Sequence, residues 1–190
     1  MDKKQMWKPG NMLYPVPAVM VSCAGRDRKT DIVTIAWTGT VCSDPVMVSI
    51  SVRPERYSYA LIRETGEFVI NLTTKELAYA TDWCGVKSGR DVDKFASMKL
   101  TAAPAQKLDY APVIAESPLS LECQVKEVLE LGSHHMFLAE VLAVQISEKY
   151  MNENGKFELN ETGLVAYSHG EYFELGRKIG KFGYSVKKQH

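Results

Sequence analysis

The pattern of apolar and polar positions predicts a protein built mainly from β-strands. Three early runs are rich in Val, Ile and Thr and are separated by Gly, Asp and Pro, as is typical of successive strands. A further strand is predicted at Glu67 to Leu72. The early runs are Ala18 to Cys23, Asp31 to Trp37 and Pro45 to Val52. In the third run, Ser49 and Ser51 share one face of the strand, so two hydroxyls point the same way.

Two long strands dominate the second half of the chain. From Leu119 to Leu131 the odd positions other than Glu127 are apolar and mostly polar residues alternate with them, which predicts a strand with one solvated face. From Met136 to Ile146 both sets of alternating positions are largely apolar. Such a strand must be covered on both faces, by helix, by sheet or by a partner subunit. A tight connection at residues 132–135 joins the two strands.

Short helices are predicted between the early strands. Pro54 to Glu64 has a proline near its first turn and Gly66 after its end. Thr73 and Glu76 match a capping box that opens a helix to about residue 84, where Gly85 is a natural stop. A further helical turn is predicted over residues 91–98. The strand-to-strand links in the second half are too short for parallel crossovers, so six or seven strands with inserted helices favour a closed or partly closed barrel.

Composition narrows the class of protein. The 190 residues with 45% hydrophobic content predict a single domain over 1–190. Lys+Arg and Asp+Glu are 23 each, so no basic field favours nucleic acid as a partner. No segment resembles a signal peptide or approaches the ~18 apolar residues of a membrane span, so we expect no membrane partner and a cytoplasmic location. The four cysteines lack C-x-x-C spacing, so we expect neither a metal site nor a disulfide framework.

The segment from Cys84 to Phe95 has the composition of a phosphate-binding loop. Its candidate groups are Gly85, Gly89, Ser88, Lys87, Arg90 and Lys94. The glycines permit close backbone approach and positive φ, while the hydroxyl and the cations suit a dianionic phosphate. Taken alone, the same composition also fits a solvated turn, and Cys84 is either a reactive thiol or a small packed side chain. The chain contains neither a Walker A nor a Rossmann fingerprint.

Four segments, in this order and spacing, resemble the flavin reductase-like family, and in particular its flavoredoxin-like branch. They are residues 34–39, residues 49–58, the loop ending in Lys94 and Phe95, and residues 132–134. The likeness extends from Asn11 to Tyr172. It implies a mainly β fold, the FMN-binding split β-barrel, which is a largely antiparallel Greek-key barrel with a few short inserted helices. It also implies a homodimer with FMN near the subunit interface.

The resemblance also implies roles for individual residues. Lys94, with Ser88 and the amides around Gly89, would hold the FMN phosphate, and Trp37 would border the flavin ring. His134 would lie near the flavin and the nicotinamide, where it could donate a hydrogen bond or a proton. The cofactor-binding residues implied are Thr34, Ala36, Trp37, Thr38, Gly39, Ser49, Ser51, Val52, Arg53, Tyr57, Ser58, Cys84, Gly85, Ser88, Gly89, Lys94, Phe95 and Tyr167.

Each of these residues also has a structural interpretation. Trp37 fits a buried indole at the end of a strand, and Arg53 fits a surface charge at the start of a helix. The hydroxyls of residues 49 and 51 fit an exposed face of the sheet. His134 fits a hairpin tip in water, and Tyr167 fits packing within the tail.

Three functions follow from these features. The first is an FMN-binding oxidoreductase that transfers electrons from NAD(P)H through bound flavin to free flavin, ferric iron or a protein acceptor. The second is a flavoredoxin-type electron carrier with tightly bound FMN and no independent NAD(P)H activity. The third is a non-catalytic barrel that binds another phosphorylated ligand or haem. No residue in the sequence distinguishes NADH from NADPH.

Overall fold

The computed structural model describes residues 2–186. Its strands are β1 (Val16–Pro17), β2 (Val19–Ala24), β3 (Thr30–Ile35), β4 (Thr38–Ser43), β5 (Val46–Val52), β6 (Glu67–Leu72), β7 (Ala102–Ala103), β8 (Val113–Ile114), β9 (Leu119–Glu130), β10 (His135–Ile146), β11 (Val165–Ser168) and β12 (Glu171–Glu174). Its α-helices are α1 (Tyr57–Thr65), α2 (Ala78–Val86) and α3 (Lys94–Met98), and short 3-10 turns lie at Glu148–Tyr150, Leu159–Glu161 and Tyr184–Val186. Among the described residues, no helix has the length and apolar character needed to cross a membrane.

The main sheet has seven strands in the order β3-β2-β6-β9-β10-β5-β4, and every neighbouring pair is antiparallel. Its two edge strands, β3 and β4, are consecutive in the chain and are joined through Ala36 and Trp37. The amide of Ser51 donates a hydrogen bond of 2.9 Å to the carbonyl of Trp37, so the β3–β4 link lies against β5. The sheet therefore curls on itself and leaves a split at Trp37.

Two apolar clusters hold the sheet and the helices together. Inside the curled sheet, Phe68 and Phe137 are completely buried, and Ile62 of α1 packs with them. A second cluster lies between the outer side of β2 and β3 and the helices α2 and α3. It includes Met20, Ile32, Leu77, Cys84 and Phe95. This second cluster fixes the loop between α2 and α3 against β3.

All six strand segments predicted from the sequence are present, and β6 covers the predicted residues. The prediction missed β4, β11 and β12, and also the two-residue strands β1, β7 and β8. β4 is an edge strand of small and polar residues (TGTVCS), so it lacks the apolar alternation that identifies a half-buried strand. β11 and β12 are only four residues each and lie in the tail.

The predicted capping box at Thr73 and Glu76 is wrong. The helix α2 begins at Ala78, after an N-cap residue whose side chain makes no capping hydrogen bond. The backbone of residues 73–75 instead pairs with residues 163–165, and the amide of Val165 donates to the carbonyl of Thr73. This pairing removes residues 73–75 from the helix, because their backbone groups are used in a strand-like contact.

The outer half of β10 has an exposed apolar face, although its sequence predicts that both faces are covered. Leu142, Val144 and Ile146 are 38%, 53% and 39% exposed, although a strand with apolar residues on both faces is normally covered on both sides. Of the three coverings considered from the sequence, neither a helix nor a sheet of the described residues closes this face.

Candidate functional site

A groove made of three adjoining cavities runs along the split between β3 and β5. The outer cavity of about 520 Å³ contains residues 36–39 with Ser49, Ser51 and Met136. The aromatic pocket of about 370 Å³ contains Trp37, Tyr14, Tyr167 and His134. The cationic pocket of about 340 Å³ contains Arg53, residues 55–58 and 87–90, and Lys94. Trp37 and Ser51 line the first two cavities, and Arg53 and Arg56 line the last two, so the cavities form one continuous groove.

Aromatic side chains from distant parts of the chain form one wall of the aromatic pocket. The ring of Tyr14 lies 6.0 Å from that of Trp37 and 6.2 Å from that of Tyr167, between ring centroids. Tyr172 packs on Tyr167, and its hydroxyl donates a hydrogen bond of 3.2 Å to Asp82. Burial, with the Asp82 carboxylate, raises the pKa of Tyr172 to about 12. The tail strands β11 and β12 thus add two tyrosines to the pocket that Trp37 also lines.

Positive side chains are concentrated in the cationic pocket. Five cations line it, against the carboxylates of Asp31 and Glu55; the cations are Arg53, Arg56, Lys87, Arg90 and Lys94. A guanidinium nitrogen of Arg56 donates a hydrogen bond of 3.0 Å to the carbonyl of Gly85, which fixes α1 to the end of α2. The guanidinium of Arg90 lies 5.7 Å from the centre of the Tyr57 ring. The excess of cations makes this end of the groove suited to an anion.

Lys94 lies at the bottom of this pocket and is only 4% exposed. Its ammonium donates hydrogen bonds to the carbonyls of Ile32 and Cys84, the second at 3.1 Å. Its Nζ also lies 3.1 Å from Oδ1 of Asp31. The Ser58 hydroxyl donates to Oδ2 of the same carboxylate. Two predicted phosphate-end residues therefore contact one buried acid.

The serines of β5 lie where the strand alternation predicts. Ser49 and Ser51 both line the outer cavity, and Ser51 also reaches the aromatic pocket. The hydroxyl of Thr38 donates a hydrogen bond of 2.7 Å to the carbonyl of Ser49, which holds β4 against β5 at this point. Gly39 is exposed at the rim, and a Cβ at this position would have no described atom within 4 Å.

His134 lies at the end of the β9–β10 hairpin and lines the aromatic pocket. Its Nδ1 lies 3.0 Å from the Ser133 hydroxyl. Burial, followed by the positive charge of Arg53, lowers its pKa below the usual value of 6.5. The neighbouring His135 instead points away and forms a 2.7 Å hydrogen bond with Tyr59. The two adjacent imidazoles thus serve different regions, as expected of successive residues at the start of a strand.

The glycines of the loop are required by close packing rather than by the positive φ that glycine permits. Neither Gly85 nor Gly89 has a positive φ, and Gly85 lies within α2 rather than ending it. A Cβ on Gly89 would lie 2.3 Å from Oδ1 of Asp31 and 2.7 Å from the Tyr57 ring. A Cβ on Gly85 would lie 3.1 Å from Cβ of Thr34. The backbone of this loop therefore approaches β3 and α1 closely.

Two predicted cofactor contacts do not reach the groove through their side chains. Cys84 is 1% exposed and Phe95 is 6% exposed, and both belong to the core cluster behind β3. Burial raises the pKa of the Cys84 thiol to about 11, so the thiol is the packed side chain of the two alternatives rather than a reactive one. All the other site residues predicted from the sequence line at least one of the three cavities.

The sequence-based site omitted several residues that line the groove. Asn11 and Tyr14 come from the segment before the first strand, and Met136 comes from the start of β10. Arg56, the N-cap residue of α1, lines two of the cavities. Asn11 and Tyr14 belong to an irregular segment without periodicity, so the resemblance at the Asn11 opening was the only available signal.

Comparison with known proteins identifies the class to which this groove belongs. The family model described as "Flavin reductase like domain" matches residues 11–176. The structure of flavoredoxin from Desulfovibrio vulgaris (Miyazaki F) superposes with a TM-score of 0.89 at 29% identity, and covers 97% of this chain and 100% of that chain. The chain belongs to the flavin reductase-like family, and its fold is the split β-barrel, as the sequence predicted.

Curated relatives include one protein without an assigned function and one named reductase. An uncharacterised protein of Pyrococcus abyssi (strain GE5 / Orsay) is 29% identical over 168 residues, which are 88% of this chain and 95% of that protein. The NADPH-flavin oxidoreductase of Streptomyces viridifaciens is 25% identical over 111 residues, which are 57% of this chain and 56% of that protein.

Proposed function

We propose that this protein binds FMN in the groove and transfers electrons from NAD(P)H through the bound flavin to free flavin, ferric iron or a protein acceptor. The observation that carries the proposal is the junction of the aromatic pocket with the cationic pocket, which share the side chains of Arg53 and Arg56. A ligand that fits both pockets has a flat apolar ring at one end and an anionic group at the other. FMN has this form.

The residues present fit this ligand at both ends. Trp37 and Tyr167 offer aromatic surface for a ring, and the backbone of residues 34–39 runs along the same wall. Lys94 and the arginines supply the charge that a phosphate dianion requires. Bound FMN would supply the hydride and electron transfer, which side chains alone do not perform. The protein contributes binding, orientation and the electrostatic surroundings of the ring.

His134 is proposed to act at the ring end of the groove. Its lowered pKa makes it neutral at pH 7, so it can donate one N–H without carrying a charge. Ser133 engages Nδ1, so Nε2 is the nitrogen left to bind a ligand. A neutral hydrogen-bond donor beside the ring would orient a flavin or a nicotinamide.

We further propose that the working protein is a homodimer. The exposed apolar residues Leu142, Val144 and Ile146 continue along the strand whose first half supplies Met136 to the outer cavity. A second copy seated on this face would cover the strand and border the groove. Analytical ultracentrifugation tests the proposal, and a sedimentation coefficient of a 21.3 kDa monomer at micromolar concentration would contradict it.

The visible spectrum and one anaerobic titration test the proposed function. The protein as purified, or after addition of FMN and removal of the excess, is expected to be yellow. Stepwise addition of NADH or NADPH without oxygen is expected to bleach the flavin absorbance, and free FMN, FAD or ferric citrate added afterwards is expected to restore it. Absence of flavin binding would overturn the proposal.

A second candidate function is electron transfer without nicotinamide, as in the flavoredoxin-type carrier considered from the sequence. It is favoured by the similarity to the D. vulgaris flavoredoxin over 97% of this chain. Under this alternative, the protein binds FMN, neither nicotinamide bleaches it, and a reduced iron–sulfur protein does. Steady-state oxidation of NADH and NADPH, measured beside reduction by a ferredoxin, separates the two functions.

A further inference from the structure

Asp31 is a buried carboxylate in the floor of the cationic pocket. It lies in β3, is 1% exposed, and borders the cavity together with Lys94 and Ser58. These two neighbours are residues that we predict at the phosphate end of the site. The pocket proposed to receive a dianion therefore already contains a negative charge.

The contacts of Asp31 use the groups that an incoming phosphate would need. The Ser58 hydroxyl donates to its Oδ2, and Lys94 Nζ lies 3.1 Å from its Oδ1. This second contact is an ion pair without hydrogen-bond geometry, and Oδ1 accepts no hydrogen bond from the described residues. Two protons of Lys94 are used by the carbonyls of Ile32 and Cys84.

The loop between α2 and α3 restricts the position of the Asp31 carboxylate. The backbone of Gly89 passes so close that a Cβ there would lie 2.3 Å from Oδ1. The carboxylate therefore cannot turn toward Gly89, and its charge stays beside Lys94 and the cavity. A phosphate bound in this cavity would meet that charge, and like charges repel more strongly in a partly buried pocket than in water.

We propose that Asp31 is an intramolecular competitor of the flavin phosphate: it neutralises Lys94, engages Ser58, and so weakens the binding of phosphorylated flavins. The inference rests on the proposed FMN site. It assigns this residue the role of setting how readily FMN exchanges. FMN is then an exchangeable ligand of this protein rather than a permanently held group.

The substitution Asp31→Asn tests the proposal through two ligands that differ in the phosphate alone. Dissociation constants for FMN and for riboflavin are measured by quenching of flavin fluorescence. FMN is expected to bind about tenfold more tightly to the variant, because one negative charge beside the phosphate is removed, while riboflavin affinity stays within about twofold. The matched control is Asp27→Asn, which makes the same charge change at an exposed turn residue next to the same strand.

Asp31→Asn alone leaves the buried Lys94 ammonium without its counter-ion, so this variant could fail to fold. A double variant provides a second test for that case. In Asp31→Asn/Lys94→Gln neither charge remains, and the shorter glutamine side chain keeps an uncharged N–H donor in this part of the pocket. If Asp31 opposes the phosphate, this double variant binds FMN at least about fivefold more tightly than Lys94→Gln alone. Equal or weaker FMN binding by the double variant would show that Asp31 only positions Lys94, and would overturn the proposal.

The riboflavin measurement separates failure of this inference from failure of the proposed function. Wild-type protein that binds neither riboflavin nor FMN contradicts the flavin site itself. Wild-type protein that binds both flavins, with an unchanged FMN-to-riboflavin ratio in Asp31→Asn, contradicts the competition alone.

Discussion

Buried carboxylates occur in two regions of this molecule with opposite surroundings. On one side of the barrel, residues 102–118 form a strap that crosses β6 and β9. Glu67 accepts hydrogen bonds from the backbone amides of Asp109, Tyr110 and Ala111, at 3.1, 2.7 and 3.1 Å. These three amide donors of the strap therefore need no water.

Glu122, completely buried on β9, is satisfied in the same way. Its oxygens accept from the amides of Gln106 and Lys107, at 2.9 and 2.7 Å, and from the side-chain amide of Gln145 at 2.7 Å. The strap is thus held to the barrel by acids whose acceptor capacity is filled by the protein itself.

In the groove, the polar groups are only partly satisfied by the protein. Asp31 has an oxygen that accepts no hydrogen bond within the described part of the chain, and Lys94 and the arginines border an open cavity. The comparison teaches that burial of charge does not identify a functional site by itself. An excess of cations that border an open cavity is the better indicator, because an anionic ligand can approach them there.

The largest expected effect comes from removing a carboxylate that holds the strap to the barrel. Glu122→Ala removes the acceptor of three donors and is expected to lower the free energy of unfolding by about 3–5 kcal/mol, through unsatisfied donors and a cavity. Urea denaturation measures it, and Glu127→Ala, at an exposed position of the same strand, is the matched control at less than about 0.5 kcal/mol. The folded fraction should keep its FMN affinity. A loss of FMN binding in step with stability would remove the distinction between the two regions.

Lys94 tests the boundary between the regions, because it is buried like the strap acids and yet lines the cavity. Lys94→Ala is expected to lower FMN affinity by one to two orders of magnitude, in line with a charge-assisted contact of ~1.5–3 kcal/mol. The control is Lys87→Ala, which removes an exposed cation from the same pocket and should have a much smaller effect. Unchanged FMN titration of the Lys94 variant would remove this residue from the site.

The sequence predicted the parts of the site that follow strand alternation or the family resemblance. Ser49 and Ser51 share a face in any β-strand of this register, so their common cavity could be predicted locally. The strap could not be predicted, because residues 102–118 show no periodicity and their order comes from Glu67 and Glu122. Each acid lies at least 15 residues from its partners in the chain.

The resemblance supplied Lys94 but not its buried partner. Asp31 appears in the sequence as a polar residue at the start of a predicted strand, and nothing local indicates that it meets Lys94 and Ser58. The failed capping box at Thr73 has the same origin, since pairing with Val165 is a contact between distant residues. Helix and turn signals act over a few residues, whereas these contacts depend on the closed barrel.

Trp37→Ala sharpens the comparison at the ring end of the groove. Loss of the aromatic wall is expected to weaken FMN and riboflavin alike by about tenfold, because the contact is with the ring and not with the phosphate. Fluorescence titration with both flavins measures it. Trp7→Ala, which removes an indole that is 74% exposed and outside the three cavities, serves as the control. An FMN-specific loss would place Trp37 at the phosphate end instead.

The smallest expected effect concerns the protonation of His134. Because burial and Arg53 lower its pKa in the folded protein, the unfolded chain binds its proton first as the pH falls. Any contribution to stability is therefore complete above the unfolded pKa of about 6.5 and is lost as the pH falls through the lower folded value.

NAD(P)H oxidation that needs the neutral imidazole should decline as the pH falls through the folded pKa of His134. His134→Asn should abolish this acid limb of the rate, whereas His135→Asn, whose side chain bonds to Tyr59 outside the groove, should retain it. An acid limb unchanged in His134→Asn would assign the titration to another group.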